Sequence, residues 1–179
     1  MLWFWFFLVY SFFGYLLERM FAKVTRSERQ VRKCFLLLPL CPVYGIAMTL
    51  FLLLTDVEAI GTLHLIFRGG LIATIVEYAV HVYYDLFFGV RFWDYSGVKG
   101  NLGGRICLPF SLLWGLLTAL TARLIHPLIL PLAAAVPPLL TFFMLLLLTA
   151  DAFLSSALLH RYGDTELLTL RAIAARLEE

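Results

Sequence analysis

Apolar residues fill this chain in long runs, and the polar residues gather between them. Runs over about 2–17, 35–54, 63–84, 106–125 and 132–159 approach the roughly 20 apolar residues a helix needs to cross about 30 Å of hydrocarbon. The pattern predicts an all-α, polytopic transmembrane helix bundle of about five spans. The first run lacks a basic leading segment and a small-residue cleavage site, so it reads as a span and not as a signal peptide. After the fifth run the periodicity changes. Leu167, Leu170, Ile173, Ala174 and Leu177 recur on one helical face, with Asp164 or Thr165 as N-cap. The expected organisation is a bundle over 1–163 and a cytoplasmic amphipathic tail helix over 164–179.

Composition supports the membrane assignment, since 62% of residues are hydrophobic and the mean hydropathy is +0.90. Soluble domains stay near 45–50% apolar. The net charge of +2 says little, but its distribution says more. Twelve of the 14 Lys and Arg lie in 18–33, 85–105 and the tail, against Arg68 and Arg123 elsewhere. Basic loops face the cytoplasm, so the expected placement is an inner, cytoplasmic membrane with the N-terminus outside and the C-terminus inside. Membrane lipids are the expected surroundings, and no nucleic-acid partner is expected. Cys34, Cys41 and Cys107 lie at the cytoplasmic ends of spans two and four. A reducing compartment and the absence of a CxxC pair argue against disulfides and zinc. Neither a metal site nor a cofactor is expected.

The two hairpins before the last span look alike. "LPLCPVYG" opens span two and "LPFSLLWG" opens span four, so Pro39 aligns with Pro109, Cys41 with Ser111, and Tyr44-Gly45 with Trp114-Gly115. Each preceding span ends near a carboxylate, Glu18 in one and Asp85 in the other. Duplication of a hairpin would give a parallel repeat about an axis along the membrane normal. Pro39 and Pro42 should break the first turn of span two. Pro127, Pro131, Pro137 and Pro138 mark an outer loop before span five.

Ionisable groups at membrane depth are costly and are functional suspects for that reason. Glu77, His81 and Asp85 recur every four residues and share one face of span three, where His81 is within reach of a hydrogen bond to Glu77. Glu18 and Asp151 are further acids able to face the same interior. These groups either bind a substrate or relay protons, or they pair internally and set helix register.

The stretch "FWDYSGVKGNLGGRICL", 92–108, is polar and glycine-rich in an apolar chain. Four glycines free backbone N–H groups to cradle an anion, with Asn101 beside them and Arg105 at the N-terminus of span four. The spacing is not that of a Walker A loop. Alternatively Arg105 pairs with Asp94 or Asp85, while Trp93 and Tyr95 anchor the interface.

"YSFFGYLLE", "LPLCPVYG", Glu77-Tyr78, "WDYS", "NLGGRICL" and "SLLWG" closely resemble the small bacterial membrane proteins of the ABC-transporter type IV, or CmpB-like, family, over about 10–115. The chain departs from the family at "RKCFLLLP", where Cys34 and Leu38 replace expected glycines, and at His81. Beside Glu18, Glu77, His81, Asp85, Asp94, Asn101 and Arg105, the resemblance adds Tyr44, Tyr78, Ser111 and Trp114 to the expected substrate-binding set. It implies a transport component, a permease or substrate-binding subunit, whose partner would be a separate ATPase subunit. In that reading a substrate sits between the hairpins near Glu77 and His81, with Arg105 and Asp94 at an inner gate.

Two alternatives from other classes stand beside it. One is a membrane-embedded enzyme acting on a lipid or polyprenyl-phosphate headgroup, with Asp94 or Glu77 as general base and Arg105 clamping a phosphate. The other is a non-catalytic assembly protein, homodimeric, whose polar groups lock helices together.

Overall fold

A computed structural model describes residues 1–24 and 34–168. The fold is all-α with one minute β-ribbon. Helix α1 covers Leu2–Val24, α2 Pro42–Leu54 and α3 Thr62–Phe88. Helix α4 runs continuously over Leu108–Ala134, and α5 covers Pro138–Tyr162. Four of the five, all but α2, are long and apolar enough to cross a bilayer. Their outward faces carry side chains such as Leu63, Phe67, Leu139 and Leu146, each at least 70% exposed. So much bare apolar surface is what a lipid solvent tolerates and water does not. The basic segment over 25–33 and the part of the expected tail helix beyond Leu168 lie outside the described residues; of that tail, Thr165–Leu167 form a single 3-10 turn.

The second helix is shorter than its apolar run suggested. Residues 34–41 are not helical, and α2 starts only at Pro42. The cause is local: a residue before proline is pushed out of the helical region, and both Leu38 and Cys41 precede one. Backbone left open at membrane depth must find partners inside the protein. Here the Asp151 carboxylate of α5 accepts Leu37 N–H and Leu38 N–H at 2.9 Å each, and Ser11 O accepts Cys41 N–H at 2.8 Å. Asp151, only 6% exposed, is therefore a cap on this segment and does not share an interior with Glu77.

The outer turn also moves. Pro127 and Pro131 were expected in a loop, yet both lie inside α4. A π-helical turn over Thr121–Ile125 absorbs the donor that Pro127 lacks, and His126 N–H reaches back to Thr121 O. The chain reverses only at 135–137, where the adjacent Pro137 and Pro138 start α5. The last span thus begins at 138 and not at 132.

Helix α1 packs along α2 and α3 along α4, and these two hairpins join through α2 and α3. Glycines set the closest approaches. A Cβ on Gly45 would strike Phe7 O and Ser11 Oγ, and one on Gly115 would strike Ile66 O. Ser11 precedes Glu18 by seven residues, as Gly70 precedes Glu77. By position under the crossing glycines, Glu18 therefore corresponds to Glu77 and not, as the ends of the spans suggest, to Asp85. Helix α5 lies against the opposite side, where Leu148 and Ala152 meet Leu36 and Leu40.

Candidate functional site

Between α1, α2, α3 and α4 lies a partly open cavity of about 300 Å³, lined mainly by apolar and aromatic groups. Of the expected site residues, Glu18, Tyr44, Glu77 and Trp114 line it. Their arrangement is alike in the two hairpins. Tyr44 Oη donates to Glu18 Oε1 at 2.6 Å, and Trp114 Nε1 donates to Glu77 Oε2 at 3.2 Å. In each hairpin the aromatic residue just before the crossing glycine thus holds the acid of the other helix. The two rings meet edge to face, 5.5 Å between centroids.

The loop between α3 and α4 closes one end of this cavity with Trp93 and Tyr95. Tyr95 Oη donates to Glu77 Oε1 at 2.8 Å, and its ring stacks on Phe110 at 5.0 Å. Burial and the neighbouring Glu77 carboxylate push the Tyr95 phenol well above its usual range, so it remains a donor. At the far end Tyr10 Oη meets His126 Nδ1 at 2.8 Å.

How does a polar, glycine-rich loop hold two aromatic rings still? A two-residue ribbon pairs Asn101 with Cys107 and Leu102 with Ile106. Asn101 Nδ2 donates to Val98 O at 2.7 Å and Ser96 O at 3.3 Å, while its Oδ1 accepts Gly104 N–H at 3.1 Å. Gly104 sits at φ +71°, and a Cβ there would meet Asp94 Oδ1. Asp94 itself accepts Ser96 N–H at 2.8 Å, a bond that holds its carboxyl below the usual carboxylate range. Tyr95 N–H donates to Gly104 O at 2.7 Å, and Trp93 Nε1 donates to Arg105 O at 2.9 Å.

Most of the other expected residues serve this loop from outside the cavity. Arg105 pairs with Asp85 at 3.0 Å, the second of the two arrangements considered for it, and its guanidinium lies 5.7 Å from the Tyr78 ring centre. The Asp85 bond keeps Arg105 protonated to still higher pH than usual. Arg91 adds a contact to Asp85 at 3.5 Å. His81 does not reach Glu77. It lies 3.2 Å from Trp93 O through Nε2, which must carry the proton because a carbonyl only accepts. Its Nδ1 has no partner among the described residues. Ser111 Oγ donates to Cys107 O at 3.1 Å. The N–H groups of Gly104 and Arg105, expected to help cradle an anion, donate instead to Asn101 Oδ1 and Leu102 O.

Sequence reasoning passed over Tyr10, Gly14, Ala73, Thr118 and Thr121 as lining residues, and Tyr95 as a partner of Glu77. One signal was present: "SFFGYLLE" and "GLIATIVE" end in acids at equal spacing from the residue under the crossing glycine. Two apolar hairpins around an internal cavity, roofed by an ordered loop, define a polytopic helical membrane protein. The chain belongs to the family described as "Putative ABC-transporter type IV", whose model matches residues 5–156. Searches among curated proteins and among solved structures return no match.

Proposed function

We propose that this chain is the membrane-embedded, substrate-binding component of a transporter, and that its substrate occupies the cavity between the two hairpins. The observation that carries the reading is the pair of glutamates, Glu18 and Glu77, turned into an otherwise apolar space of about 300 Å³. Ligand pockets typically combine a predominantly apolar lining with a few placed polar groups, at volumes of about 300–1,000 Å³. Energy would come from a separate ATPase subunit, in keeping with the family description.

Arg105, Asp85, Asn101 and Asp94 would act on the substrate indirectly, by holding the loop that brings Trp93 and Tyr95 to the cavity. The bias of basic residues supports placing that loop and the tail over 164–179 in the cytoplasm of an inner membrane, with the N-terminus outside. Helix pairs of this kind also leave apolar faces for lipids or a second copy.

The test is native mass spectrometry of the purified protein together with uptake in cells. Wild type should carry a small-molecule adduct that Glu77→Gln loses, and cells expressing wild type should accumulate or clear that molecule. Identical adducts on both proteins, with unchanged cellular levels, would overturn the assignment.

A further inference from the structure

We infer that the cavity takes an amphiphile dissolved in the bilayer, which enters sideways between α1 and α4 and leaves its hydrocarbon tail among the lipids. This rests on the binding role proposed above and goes further by naming the substrate class and its route. Three flanks of the cavity are closed by helix pairs: α1 packs along α2, α2 along α3 and α3 along α4. The fourth flank differs. Among the described residues, α1 and α4 come together chiefly over His126–Ala134, the C-terminal part of α4. Rings pin both ends of that flank. Toward the loop, Phe21 of α1 meets Phe110 of α4 edge to face at 6.2 Å, and Phe110 carries the stacked Tyr95 ring. At the far end, His126 lies 4.8 Å from the Phe6 ring and shares the bond with Tyr10. Between these pins, Phe13 of α1 and half-buried Leu117 of α4 line the cavity, and Phe13 is nonetheless 36% exposed. A side chain that faces a cavity and the outside at once marks an opening.

What the window opens onto decides what can use it. Phe12, Leu16, Leu116 and Leu120 stand around it, exposed apolar side chains of the kind a bilayer covers. A polar solute taking this route would shed its hydrogen bonds in hydrocarbon, which is costly. A molecule already in the bilayer has only its head left to bring in. The loop end, by contrast, is held shut by Tyr95 on Glu77 and by Trp93 on Arg105 O. Size agrees with the open flank. About 300 Å³ is the bottom of the usual range for ligand pockets, enough for a head and the first part of a tail but not for a long-chain lipid. An opening toward lipid lets the rest of the tail stay outside. The head is a hydrogen-bond donor, as an alcohol is: Glu18 takes the Tyr44 hydroxyl through Oε1, and a carboxyl group accepts more than one donor.

The experiment uses purified protein in nanodiscs and a hexadecanol probe carrying a photoreactive diazirine near its hydroxyl end, with the labelled residues mapped by mass spectrometry. Labelling should saturate and fall on cavity and window residues, Leu17, Met48 and Leu117 among them. Unlabelled hexadecanol should compete, and its methyl ether, which cannot donate, should compete roughly tenfold less well. Leu117→Trp and Phe13→Trp, which narrow the window from either side, should each cut this labelling severalfold. Leu116→Trp, next along α4 and outside the cavity lining, should not. Melting profiles check that all three variants fold. Equal competition by the ether overturns the donor head. Labelling confined to outer faces such as Leu139 and Leu146, or undiminished in both window variants, overturns the lateral route and the substrate class. A water-soluble adduct on the purified protein that Glu77→Gln loses would then still uphold the binding role, whereas the lack of any such adduct would overturn both.

Discussion

Tyr44 and Trp114 stand edge to face, and each donates a hydrogen bond to the glutamate of its own hairpin, Tyr44 to Glu18 and Trp114 to Glu77. Two hairpins thus bring the same pair of groups to one cavity from opposite sides. Tyr44→Phe keeps the aromatic wall and removes only the donor, while Trp114→Phe removes the donor together with part of the ring. Each should cost about 1.5–3 kcal/mol, the usual worth of a hydrogen bond to a charged group. Thermal unfolding in detergent measures it. Because the rings touch, the double variant should depart from additivity.

The crossing glycines are the most sensitive positions. Gly115→Ala drives a methyl into Ile66 O and Gly45→Ala into Phe7 O. Either should destabilise by about 1–3 kcal/mol as helices separate to make room. Gly97→Ala, with open space around it, is the control and should leave the melting temperature unchanged.

Asp151 tests how the broken segment before α2 is held. Asp151→Ala would strand Leu37 N–H and Leu38 N–H away from water, at about 1–3 kcal/mol for each orphaned group. Asp151→Asn keeps one good acceptor and should lose roughly half as much. The yield of folded protein and its unfolding profile report the difference.

The loop should respond to Arg105 and Asn101 before the helices do. Arg105→Ala breaks the Asp85 pair, and Asn101→Ala releases Ser96, Val98 and Gly104 together. Both should speed tryptic cleavage at Lys99 under native conditions while helix content stays constant. Asn101→Ala should have the larger effect, since it undoes three bonds against one pair.

Acid should loosen the same loop through Asp94. Its carboxyl is held below the usual range by the Ser96 N–H, so its contribution is present at neutral pH. That contribution fades as pH falls through the depressed value, below about 4. The Trp93 indole N–H, bonded to Arg105 O, is the NMR reporter. Its signal should shift on acidification in wild type, and Asp94→Asn should start from the shifted position and move less.

Some of the site was legible in the linear chain. Glu77 stands out as an acid deep in an apolar run, and the Tyr44-Gly45 and Trp114-Gly115 match located both crossing glycines. His81 misled because spacing along one helix states which residues share a face, not which find each other: a loop carbonyl twelve residues on accepts its Nε2–H. In the glycine-rich loop two N–H groups have partners that spacing did not indicate: Gly104 N–H donates to Asn101 Oδ1 and Arg105 N–H to Leu102 O.

Length and polarity of the runs were enough for the class of fold, because a segment unable to bury its backbone any other way in lipid must be helical. Position along the chain could not say where helices break. That depended on Asp151 arriving from α5 to satisfy Leu37 and Leu38, and on a π turn absorbing Pro127. The cavity belonged wholly to tertiary structure. Glu18 and Glu77 are far apart in sequence, and only the packing of four helices, with two glycines allowing backbone contact, turns both toward one space.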